Sequence, residues 1–101
     1  MLEQLNKESF DTKVLDSTEK VGVLFHAEWA MPSVHQFINM EQFPVYHVDM
    51  EETPEVGAIL NIRALPVIYV FEKGEIKSFK VGYMDVSEIQ KYLQQEGIVA
   101  T

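Results

Sequence analysis

Apolar and β-branched residues run almost unbroken from Val21 to His26, which predicts a strand covered on both faces rather than one with a wet side. A second such run, Pro44 to Asp49, predicts another. Val67 to Glu72 and Glu75 to Val81 read as two more strands, and Lys73-Gly74 between them is a two-residue hairpin signal. Leu2 to Leu5 fits a short edge strand.

Between these runs the apolar spacing changes to that of helices. Asn6 is a cap residue for a helix running to about Asp16, with Phe10, Val14 and Leu15 on its inner face. Pro32 to about Glu41 predicts a short helix with Val34, Phe37 and Ile38 inward. Thr53-Pro54-Glu55 combines a cap, a proline at the first helical position and an acid in the first turn. The helix it opens has an apolar stripe of Val56, Ile59 and Leu60, and Asn61 terminates it. Asp85 followed by Glu88 is close to a capping box, with Ile89, Tyr92 and Leu93 inside and Gly97 at the end. The order is strand, helix, strand, helix, strand, helix, strand, strand, helix. That order predicts an α/β fold, a central mixed sheet of four or five strands flanked by helices.

Composition narrows the partners. A chain of 101 residues with 47% apolar content is expected to form one domain, residues 1–101. No apolar run approaches the roughly 18 residues that a membrane span needs, so no membrane partner is expected. The first ten residues lack a basic region followed by an apolar stretch, and a cytoplasmic protein is expected. Sixteen acids against eight bases give a net charge of −8, which makes nucleic acid a poor partner. The imbalance is also local. No Lys or Arg lies between Val21 and Ile62, whereas Glu28, Glu41, Asp49, Glu51, Glu52 and Glu55 do. Such a stretch reads as a solvated acidic surface, with repulsion of acidic partners near Trp29 as the functional alternative.

The sequence contains no cysteine, which removes disulfides, thiolate metal sites and thiol nucleophiles at once. Ser33 and His35 are two apart on a predicted helix and point to different faces, so they form no nucleophile–base pair. His26, His35 and His47 lack ligand spacing with Glu28 or Asp49, and neither a metal nor another cofactor is expected. Met31 and Met40 read as packing or groove residues, and Trp29 as a half-buried packing aromatic or the border of a binding surface.

Five segments carry a resemblance. They are Ser9 to Leu15, then Phe25-His26-Ala27-Glu28-Trp29-Ala30-Met31-Pro32-Ser33, then Ile62-Arg63-Ala64-Leu65-Pro66, Phe71 to Glu75, and Lys80-Val81-Gly82. In this order and spacing the chain resembles the thioredoxin family over nearly its whole length. The resemblance implies a cis peptide bond before Pro66. It also implies that Ala30 and Ser33 stand where the family has its nucleophilic and resolving cysteines, so the catalytic positions are inactive here. Leu24 and Val45 stand where the family has a buried aspartate and lysine, His26 replaces the first aromatic of the motif, and the second helix is shorter. What survives without thiols is recognition by strand addition, implying a peptide-binding surface of Trp29, Met31, Pro32, Ala64, Leu65, Pro66, Gly82 and Tyr83. Its implied partners are extended segments of protein substrates, bound by a monomer, with a thioredoxin reductase as a partner of a cysteine-containing parent. Two functions follow from the resemblance. One is a protein disulfide reductase with both cysteines replaced, performing no redox catalysis as written. The other is a naturally cysteine-less peptide-binding or chaperone-like module.

Overall fold

A computed structural model describes residues 2–99. Its five strands are β1 (Glu3–Gln4), β2 (Lys20–His26), β3 (Tyr46–Asp49), β4 (Val67–Glu72) and β5 (Glu75–Val81). They form one sheet in the order β1-β3-β2-β4-β5. β1 and β2 pair with β3 in parallel, and β4 runs antiparallel to both β2 and β5. This is the expected mixed sheet, with five strands.

The unbroken apolar run of β2 has a direct cause. Val23 and Phe25 face one core layer, with Phe10, Val14, Val48, Val56 and Phe71. Leu24, between them, faces a second layer with Met40, Val45, Ile68, Ile89 and Leu93. Helices cover both faces, so alternate residues of the central strands all lose water. The β4–β5 connection places Lys73 and Gly74 at φ of 55° and 79°, the left-handed pair that a two-residue hairpin requires. A Cβ on Gly74 would lie 2.2 Å from the Leu15 carbonyl oxygen, so glycine is needed for packing as well as for conformation.

The first helix, α1 (Lys7–Phe10), opens with a capping box. Asn6 Oδ1 accepts from Ser9 N, and Ser9 Oγ accepts from Asn6 N, each at 2.8 Å. It then widens into a π-helical segment, Asp11–Leu15, closed by the Asp16 amide donating to the Asp11 carbonyl at 2.9 Å. The wider turn keeps Phe10 and Val14 inward and rotates Leu15, expected inside, to the surface.

Two further inward assignments are corrected. In α2 (Met31–Met40) the buried residues are Ser33, Gln36 and Met40, and Ile38 is exposed. At about 100° per residue Ile38 lies far round the helix from that face. In α3 (Pro54–Leu60) the inward positions are Val56 and Gly57, and Ile59 is exposed. A Cβ on Gly57 would sit 1.7 Å from Met50 Cε, so the methionine fills the space that a larger helical residue would need. The last helix, α4 (Val86–Gln95), starts with the Asp85–Glu88 capping box and buries Ile89, Tyr92 and Leu93, as expected.

Candidate functional site

The strand register gathers four loops at one end of the sheet. Phe25 pairs with Val67, and Val67 pairs with Val81, while His26 pairs with Asp49. The segments after β2, β3 and β5 and the one before β4 therefore emerge together. All eight residues expected to line a peptide surface lie on these segments.

The segment before β4 turns on a cis Leu65–Pro66 bond. Pro66 is buried and Ala64 exposed. The Gly82 amide donates to the Pro66 carbonyl at 2.8 Å, which ties the loop after β5 to the proline loop. Trp29, on the segment after β2, is 71% exposed, so it is not a half-buried packing aromatic. Its amide donates to Glu51 Oε1 at 3.3 Å, and the Glu51 amide donates to Asp49 Oδ1 at 2.9 Å. Met31 and Tyr83 are also exposed.

Ala30 and Ser33 occupy the start of α2. Ala30 is the N-cap residue and supplies no side-chain acceptor to the helix amides, a poor cap among the residue types. Ser33 lies one turn inside at zero exposure, and its Oγ has no hydrogen-bond partner among the described residues. The buried Gln36 is half satisfied. Its Oε1 accepts from the Met84 amide at 2.9 Å, while its Nε2 is unpartnered among the described residues. Asn39 Nδ2 donates to Tyr83 Oη at 2.9 Å and to the Met84 carbonyl at 3.3 Å. Two side chains of α2 thus clamp the loop after β5. Sequence reasoning missed Gln36 and Asn39. Their only signal was two polar residues three apart in a helix that must bury a face.

A second polar feature lies beside α2. His26 and His47 are joined ring nitrogen to ring nitrogen, and Phe37 packs against both with centroids 5.0 and 4.9 Å away. Burial pushes the pKa of both histidines down, that of His47 to about 4, and Asp49 opposes this in part. Glu28, Val34 and Asp49 join them around a cavity of about 250 Å³. Among the described residues no three His, Cys, Asp or Glu side chains are placed to hold a metal ion. No helix among them is long and apolar enough to cross a membrane.

The arrangement can offer backbone groups to an extended chain at Ala64 and apolar contacts at Trp29, Met31 and Tyr83. Neither Ala30 nor Ser33 can supply a thiolate. Comparison with known proteins identifies the family. The thioredoxin family model matches residues 1–95. The thioredoxin of Rickettsia bellii is 31% identical over 90 residues, covering 81% of this chain and 86% of that protein. The chloroplastic thioredoxin M4 of Arabidopsis thaliana is 26% identical over 99 residues, covering 90% of this chain and 51% of that longer protein. Among solved structures, the thioredoxin of Malassezia sympodialis superposes with a TM-score of 0.82 at 24% identity, over 94% of this chain and 90% of that one, which establishes likeness of fold.

Proposed function

The chain belongs to the thioredoxin family, and on that premise we propose that it is a protein disulfide reductase scaffold whose two thiol positions are Ala30 and Ser33. As it stands it binds extended segments of partner proteins without covalent capture.

The orphaned Ser33 hydroxyl carries this reading. A hydroxyl buried without a partner costs about 1–3 kcal/mol, whereas a thiol is a weak donor that packs as a small hydrophobe. The pocket suits sulfur better than oxygen. The uncapped start of α2 supports the same conclusion, because a thiolate at position 30 would face the positive end of the helix and have its pKa lowered there. With cysteines at both positions, the first thiolate would attack a partner disulfide and expel one partner thiolate. The second would then attack the mixed disulfide, expel the other, and leave an intrachain disulfide. Two electrons pass to the partner in that sequence.

A second reading, a naturally thiol-free binding module, is favoured by the interior. Leu24 is fully buried and Val45 nearly so, both within one apolar layer, where the family resemblance implies an aspartate and a lysine. A site that no longer moves protons gains stability from such packing.

The combined Ala30→Cys and Ser33→Cys variant tests the assignment. It should reduce a model protein disulfide and display one accessible thiol of lowered pKa. Two ordinary thiols with no reductase activity would leave the binding-module reading in its place.

A further inference from the structure

On the α3 side of the sheet, β5 extends beyond the helices. Phe79 and Val81 are 55% and 56% exposed although they continue the apolar layer formed by Val67 and Tyr69. The Tyr69 and Phe79 rings are stacked, with centroids 5.3 Å apart and planes 18° from parallel. Together with Ile62 they wall an open trough of about 230 Å³ that reaches Ala64 of the proline loop. Arg63 stands at its edge, exposed, with Nε donating to Asn61 Oδ1 at 3.3 Å, which orients the guanidinium. No carboxylate lines the trough.

We infer that this trough is a side-chain subsite, taking an aromatic residue with a neighbouring carboxylate from the same extended segment that lies along Ala64. The inference rests on the peptide-binding reading above and adds to it a preferred partner chemistry. The stacked rings offer a flat apolar wall to a third ring. Arg63 offers the planar fork that a carboxylate matches. Charge sets the direction of the segment. The strand order places the loop after β3, with Asp49 and Glu51, at one end of the groove and β5 at the other. At about 4.8 Å between neighbouring strands, the span from β3 to β5 is roughly 14 Å, or about four extended residues. An acidic residue is therefore repelled near Trp29 and accepted near Arg63. A second copy of the chain fits the trough less well, because Lys77 and Lys80 on the β5 edge and the net charge of −8 oppose pairing of two such edges.

Amide chemical shifts of the intact chain test this against three capped six-residue alanine peptides. One carries Phe-Asp at its centre, one carries Phe-Lys, and one carries Ala-Asp. The Phe-Asp peptide should shift the amides of Ile62, Arg63, Tyr69, Phe79 and Val81 together with those of Trp29, Leu65 and Gly82. It should bind about tenfold more tightly than either control, equivalent to about 1.4 kcal/mol. Phe79→Thr and Arg63→Gln should each abolish that preference while the shifts at Trp29 and Leu65 persist. Shifts confined to Trp29, Leu65 and Gly82, with equal affinity for all three peptides, would overturn the subsite and leave the groove. Silence at millimolar peptide would remove groove and subsite together. Concentration-dependent shifts along β5 without peptide would assign the trough to a second copy instead.

Discussion

His26 Nε2 and His47 Nδ1 lie 2.8 Å apart, so one imidazole must donate and the other accept, and the pair cannot carry two charges without losing that bond. Burial holds both pKa values below the usual 6.5, His47 at about 4. The folded state therefore binds fewer protons than the unfolded chain, in which both titrate near 6.5. Their contribution is fully present above about pH 6.5 and is lost as pH falls toward 4. Urea unfolding should show a loss on the order of 1–2 kcal/mol between pH 7 and pH 5. His47→Asn should flatten that dependence, and an unchanged slope would mean that other groups set it.

Removing the hydroxyl of Ser33 should stabilise the protein. Ser33→Ala deletes a buried polar atom without a partner at the cost of a very small void, for a net gain of about 1 kcal/mol. A domain of this size should then melt about 4–8 °C higher. A lower melting temperature would show that the hydroxyl is hydrogen-bonded in solution.

Gln36 and Asn39 should hold the loop between β5 and α4. Asn39→Ala removes the donor to Tyr83 Oη and the Met84 carbonyl, for about 0.5–1.5 kcal/mol. Gln36→Ala strips the Met84 amide of its acceptor and opens a cavity, for about 2–3 kcal/mol. Hydrogen exchange at Tyr83 and Met84 should quicken in both variants while β2 amides stay protected. Uniform loss of protection would make these residues general packing and not a clamp.

Leu24→Asp should destabilise the chain by more than about 3 kcal/mol at pH 7, since Leu24 is fully buried in an apolar layer. Burial raises the pKa of such a carboxyl, so the neutral acid is tolerated better and part of the loss should be recovered as pH falls toward 5. In the double-cysteine variant the same change should raise the reductase rate. A rate that does not move would remove the proton-relay role implied for that position.

How far the sequence was legible differs between elements. The Asp85–Glu88 capping box, the Lys73-Gly74 hairpin and the cis Leu65–Pro66 bond are formed as expected, because each depends on local backbone chemistry or a dense family motif. The inward faces of α2 and α3 were legible in part, since Phe37, Val56 and Leu60 pack on the core as expected. Apolar content favoured Ile38 and Ile59, yet Ser33, Gln36 and Gly57 are inside. Helix rotation was decided by what the helix meets, here the Met84 amide for Gln36 and the Met50 side chain for Gly57.

Cysteine content, net charge and the order of strands and helices are properties of the sequence by itself, and they determine that this chain has an α/β fold without thiol chemistry. Tertiary structure decided which residues meet. His26 and His47 are 21 positions apart and bond only because β2 and β3 pair in parallel. Gln36 and Met84 are 48 apart, and the clamp between them exists only once α2 and the loop before α4 pack together. Tyr69 and Phe79 stack because the β4–β5 register sets them opposite each other, on the face of β5 that stays exposed. Local patterns encode propensities that each segment satisfies alone, whereas these contacts draw their energy from burial shared between distant segments, and no single segment contains that term.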